Sequence, residues 1–321
     1  KIISGSSTST GSFGKVKSAG GVFEGDGSRE LIITDSSVIS LSNNDGGSNN
    51  TIFGRYAGAN GSIGEKNAFF GDAVANDTLT TDADNNTGLG YRAMHGLTAG
   101  SENTTVGSNA GYSMVAGVRN VAIGVNSLYQ GAAQKTVAIG YETGRYATGS
   151  FNTFVGAQAG VGGTTSAPFS SGEGNVALGY QALTAFTTGG NNIAIGYQAA
   201  EALTTSNMVI AIGHSAAQSF TGDRGYGIYI GRLAGQAETG VYNDTIVGGE
   251  AGYSQNMGGA GTSYSDSTYI GYRAGYYNVS GVSNTYVGNE AGFSKTGTGN
   301  TAVGADAMFG GANAVNSGDS N

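Results

Sequence analysis

Few residues of this chain are placed to do chemistry. Gly88-Leu-Gly-Tyr-Arg-Ala93 spells a dinucleotide-binding fingerprint, a pattern that cradles a pyrophosphate only between a strand and a following helix. Gly213-His-Ser-Ala-Ala217 has the outline of a serine nucleophile elbow. Asp82 and Asp84, beside Asn85, group oxygens of the kind Ca²⁺ takes, but without the glycine-aspartate repeat of calcium-binding rolls. His95 and His214 are too far apart in the chain to suggest a paired imidazole site. Cleavage of a polysaccharide would need two carboxylates at a fixed separation across one groove. Glu142, Glu201, Glu238, Glu250 and Glu290 are expected to share no such frame. Tyr253, Tyr264, Tyr276, Tyr277 and Phe293 crowd the C-terminal third, where tyrosine among Asn and Ser could grip a sugar or a protein surface. Stacking of those rings between coils is the favoured expectation.

These fragments look different once the chain is searched for repeats. Both chemical motifs fall on one glycine column: Gly54, Gly71, Gly90, Gly107, Gly124, Gly140, Gly156, Gly179, Gly196, Gly213, Gly231, Gly248, Gly271, Gly288 and Gly304. The spacing is near 17 residues, with two longer steps of 23. Counting from this glycine, position −1 is Phe, Leu, Ile or Val in all fifteen copies, and −3 is Thr, Val or Ile in all but Ala68. Asn recurs ten times at −4 and Ala twelve times at +3. Gly90 and Gly213 are thus repeat glycines with siblings that lack the motif. No catalytic residue, cofactor or metal ligand is expected.

Each unit reads as a short strand, a glycine turn, a second short segment and a polar turn. One such coil cannot bury its apolar stripe alone, so stacking is obligatory. The expected fold is all-β, a parallel β-solenoid or β-roll of about fifteen coils. Side chains alternate along a strand, so −3 and −1 share a face, and their uniform apolar character marks it as the buried one. The Asn column is expected to form a ladder of amides bonding above, below and to turn backbone. Position −2 mixes Ala122, Ala194 and Ala211 with Phe69, Phe154, Tyr229 and Tyr269. An apolar column on the second face implies contact between copies, most simply an intertwined or side-by-side homotrimer. Ice binding by a flat Thr array is set aside here because the repeat Thr would be buried.

Composition limits the partners. The chain has 321 residues, 60 of them Gly and only one Pro, which excludes collagen. Charged residues are 11% and the net charge is −8, with no basic stripe for nucleic acid. No apolar run is long enough to insert in a membrane. With no Cys there is no disulfide framework, so durability must come from β hydrogen bonding or from partner chains.

The expected organisation is an N-terminal β connector and trimerisation segment at 1–48, the solenoid at 49–310, and a polar tail or junction at 311–321. Insertions around Gly162–Gly174, with Pro168 and Phe169, and around Asn256–Ser265 are expected to bulge from the shaft. Together with Tyr253, Tyr264, Tyr276 and Tyr277 they are the candidate surface contacts.

The strings Val121-Ala-Ile-Gly124, Val137-Ala-Ile-Gly140, Ile193-Ala-Ile-Gly196 and Ile210-Ala-Ile-Gly213 resemble the β-roll heads of trimeric autotransporter adhesins. Asn152-Thr-Phe-Val-Gly-Ala-Gln-Ala-Gly160 and Asn175-Val-Ala-Leu-Gly-Tyr-Gln-Ala-Leu183 are more similar to repeats of bacteriophage tail and virion fibres, cyanophages among them. The opening Ile3–Gly14 is similar to leader segments of such proteins. The period is longer than in the adhesin heads and no heptad stalk is visible, which favours the phage family. That resemblance implies an elongated homotrimer of the virion, bound to other virion proteins and reaching toward a polysaccharide or protein receptor on the host. The adhesin resemblance implies a bacterial cell surface instead, and a β-helical depolymerase is a third possibility.

Overall fold

The computed structural model describes residues 49–310 except 59, 62, 132, 164–168, 223–224, 240–242 and 256–264, with backbone only at 60, 61 and 78. The segments 1–48 and 311–321, with Pro168 and Tyr264, lie outside the described residues. All described residues belong to one compact unit.

Fifteen strands of three residues, from Thr51–Phe53 to Thr301–Val303, pair in chain order into a single parallel sheet. Like residues sit on like: Ile193, Ala194 and Ile195 lie opposite Ile210, Ala211 and Ile212. The chain is therefore a parallel β-solenoid with one strand per coil, and no helix occurs among the described residues. A second pairing, Asn60–Gly61 with Thr78–Leu79, adds a short ladder at the N-terminal coils.

The inside of the coil is not where the apolar pattern suggested. The middle residue of each strand, position −2, points inward: Phe69, Ala122, Phe154, Ala194, Tyr229 and Tyr286 are all fully buried. Positions −3 and −1 point outward and are half-buried or exposed in every coil, Phe53 at 62% and Val303 at 70%. The expectation of a buried −3/−1 face is thus corrected, and with it the ground for setting aside a surface Thr array. The reason is geometric. A three-residue strand gives two side chains to one face and one to the other, and this narrow coil has room inside for one. Parity carried the signal, since the buried Asn at −4 shares the face of −2.

Inside, volume is traded across the coil. At Ala177, Ala194 and Ala211 the −2 residue is small, and the facing column at +7 supplies Phe186, Leu203 and Phe220. From Tyr229 to Tyr286 −2 is large, and +7 turns polar as Glu238, Gln255, Asn278 and Lys295, all buried. Asn278 Nδ2 donates to the Tyr269 hydroxyl across one such pair. Packing at interior density demands this reciprocity.

The turn is held by backbone bonds between coils. Position +2 is a non-glycine residue in all fifteen coils, with φ between 52° and 59°. A left-handed conformation costs about 1–2 kcal/mol for such residues. It persists because the +2 N–H then donates to the +1 carbonyl of the preceding coil, as from Gln198 to Tyr180 O at 2.9 Å and from Ser215 to Tyr197 O at 2.8 Å. The repeat glycine is needed for a different reason. At Gly124 φ is +128°, and a Cβ would lie 2.2 Å from the carbonyl oxygen of Gly140.

The first insertion does not bulge wholesale. Its described flanks rejoin the stack, with Ala147 bridging Ser170 and the Gly163 N–H donating to Phe186 O.

Candidate interaction surface

The buried Asn column forms the ladder its spacing predicts. Asn86 Oδ1 accepts the backbone N–H of Asn103 at 3.0 Å and its Nδ2 at 3.0 Å, while Asn103 Nδ2 also donates to the turn carbonyl of Gly117 at 2.7 Å. The pattern repeats at Asn67, Asn120 and Asn192. Thr136 continues it, and Val209 and Gly227 interrupt it. At Gly227 a side chain would collide with the Tyr229 ring, so the break makes room for Tyr229.

Asp244 resumes the column as an acid. Its Oδ1 accepts the Ser267 N–H at 2.8 Å and its Oδ2 the Gln255 Nε2 at 2.9 Å. Burial pushes this carboxyl up to about 7, against the hydrogen bonds that favour its ionised form. Desolvation likewise holds the Tyr229 hydroxyl well above the usual phenol range.

A second amide ladder, on a corner of the coil, was not foreseen. Gln158, Gln181, Gln198, Gln218 and Gln236 pass hydrogen bonds from Nε2 to Oε1 at 2.9–3.1 Å, and Gln158 Nε2 reaches Glu142 at 3.3 Å. The signal was the run of Gln at +2 in three consecutive coils.

The residues singled out for chemistry are dispersed. Gly90 and Ala93 occupy ordinary coil positions, with no helix after them. His214 is exposed and stacks on Tyr197 at 4.9 Å, while Ser215 is buried, so the two point to different sides. His95 stacks on Tyr112 at 4.9 Å. Asp84 Oδ1 accepts the Glu65 N–H at 2.6 Å, and Asp82 is exposed. Three of the singled-out acids, Glu142, Glu250 and Glu290, occupy one repeat position, +2. They face cations rather than one another. Glu142 pairs with Arg145, Glu250 with Arg232 and Arg273, and Glu290 with Arg273 at 3.6 Å. The Arg273 hydrogen bond holds the Glu250 carboxyl below its ordinary range. Glu201 accepts from Gln218, and Glu238 lies in the core.

The candidate aromatics form a ladder along one flank. Tyr253, Tyr276, Phe293 and Phe309 stack at 4.9, 5.3 and 4.9 Å, and Tyr277 meets Tyr276 edge-on at 4.6 Å with 45% of its surface exposed. Phe169 is half-buried and parallel to Tyr146 at 6.3 Å. Stacked rings turn their faces to each other, so the ladder offers mainly ring edges to solvent.

The outward face of the sheet is chemically uniform. Its −3 and −1 columns hold only Thr, Ala, Val, Ile, Leu and Phe, with no charge in any coil. Beside them the +1 column exposes Tyr91, Tyr141, Tyr180, Tyr197 and Tyr272. Among the described residues no helix is long and apolar enough to cross a membrane. Compared with known proteins, the chain matches no family model, no curated protein and no solved structure.

Proposed function

We propose that this chain is the shaft of a non-enzymatic extracellular fibre, a tail or virion fibre of a bacteriophage that carries attachment toward a host surface. The single observation that carries the reading is the way the coils are joined. Fifteen strands stack without a break, held among the described residues by backbone bonds from coil to coil and by a buried Asn ladder and a half-buried Gln ladder. Such a stack is stiff along one axis and needs no disulfide, which suits a chain without Cys working outside a cell. Fourteen strand spacings cover about 70 Å.

Further support comes from the repeat strings at 152–160 and 175–183 and from the neutral polar coat. The non-enzymatic part rests on the singled-out acids, which pair with cations or amides or lie in the core instead of facing one another across a groove. The partners are other copies of the chain, other virion proteins, and a polysaccharide or protein receptor.

Antibodies raised against the chain test the reading by electron microscopy of virions and host cells from its source. Label along fibres projecting from virions is the expected result. Label confined to bacterial envelopes would overturn it in favour of the surface-adhesin reading.

A further inference from the structure

The outward sheet face carries no charge over the whole length of the stack: its −1 column is apolar throughout, its −3 column is Thr in eight coils and Ala, Val or Ile in seven, and nothing in the chain covers it among the described residues. Phe53, Leu89, Ile139, Ile270 and Val303 are exposed there, and no −3 or −1 position carries a charge. A three-residue strand is about 10 Å wide and fourteen spacings are about 70 Å long, so the face covers on the order of 700 Å². That footprint, apolar side chains and Thr together, approaches the roughly 800 Å² each partner buries in a stable complex.

We infer that this face, and not the −2 column, is where three copies of the chain pack parallel and in register about a common axis. Periodicity selects the occupant. The face repeats every strand spacing, about 4.8 Å, over fifteen coils, and only a surface of the same pitch can nest in it along its full length. Another copy has that pitch by construction, whereas a globular partner would meet a few coils. Charge agrees. At a net charge of −8, copies repel wherever their acids meet, and these columns are a long charge-free stretch. The flanking tyrosines at +1 supply rim contacts of the kind interfaces favour. Three copies and a parallel direction rest on the fibre reading; the choice of face rests on its exposure and its lack of charge.

The absence of Cys makes the register directly testable. Ile195→Cys places a thiol on the proposed axis, and Thr221→Cys places one at an exposed corner. In register, the first variant cross-links chain to chain under mild oxidation and leaves about one chain in three uncoupled, while the second stays uncoupled. Sedimentation of the unaltered chain gives three times 32.0 kDa. The double variant Ile195→Lys/Ile212→Lys falls to single-chain mass with its β-sheet circular dichroism retained. A single-chain or two-chain mass for the unaltered protein at about 10 µM, or cross-linking at Thr221→Cys alone, overturns the assignment. So would an unchanged mass for the lysine variant, or a monomer whose exposed Thr column slows ice growth. Failure of virion labelling with the trimer intact would strike only the fibre reading. A labelled fibre built from single chains would strike only the interface.

Discussion

Asn86 Oδ1 accepts two hydrogen bonds from Asn103, one from its backbone and one from its side chain, both at 3.0 Å and both out of reach of solvent. One residue type thus satisfies a strand donor, a neighbouring amide and, through its own Nδ2, a turn carbonyl. Removing such a residue orphans partners on both sides. Asn103→Ala should cost about 2–4 kcal/mol, since each buried group left unpaired costs roughly 1–3 kcal/mol. Chemical denaturation of the two proteins side by side measures it.

The repeat glycine should be less forgiving still. Gly124→Ala combines a φ of +128° with a Cβ 2.2 Å from a carbonyl oxygen. Backbone on both sides must shift, and the loss should exceed about 3 kcal/mol, given that strain at such a φ alone costs about 1–3 kcal/mol. Low recovery of soluble protein and a lowered melting temperature are the expected readouts.

Core tyrosines separate volume from polarity. The Tyr229 hydroxyl is buried with no hydrogen-bond partner. Tyr229→Phe should therefore be neutral or stabilising by about 1 kcal/mol, because it removes an unpaired polar group. Tyr229→Ala should cost about 3–5 kcal/mol through the cavity it leaves. Thermal melts of the pair check both signs.

Asp244 gives the solenoid a pH dependence. Its folded value is about 7, against 3.8 for the free side chain. A raised value means that the folded state holds the proton more tightly than the unfolded state. Stability from this group is full below about pH 4 and falls as pH rises toward 7, by on the order of a few kcal/mol. Asp244→Asn restores the ladder amide and should flatten that slope, leaving the variant the more stable protein at pH 8. Equal slopes between pH 4 and 8 would contradict the assignment.

Much of the fold was legible because stacking forces like onto like. The Gly54 to Gly304 column, the Asn ladder and the two long steps all follow from period alone. The polarity of the strand was not legible from apolar pattern. Ile193 and Ile195 look like core and Ala194 like surface, yet a coil this narrow admits the alanine and turns the isoleucines out. Reciprocity between Ala211 with Phe220 and Tyr229 with Glu238 was present in the sequence, but it links positions nine residues apart that only the closed coil brings face to face. The Glu250–Arg273–Glu290 column was hidden because its members mix signs of charge.

Inside and outside can be exchanged by one residue, and that decides the account. Lysine is introduced separately at Ala194 and at Ile195, and far-UV circular dichroism is recorded at 20 °C. The inward Ala194→Lys should abolish the β-sheet signal, while the outward Ile195→Lys should preserve it. The reverse result, with Ile195→Lys unfolding the chain and Ala194→Lys tolerated, would contradict the placement of every column described above.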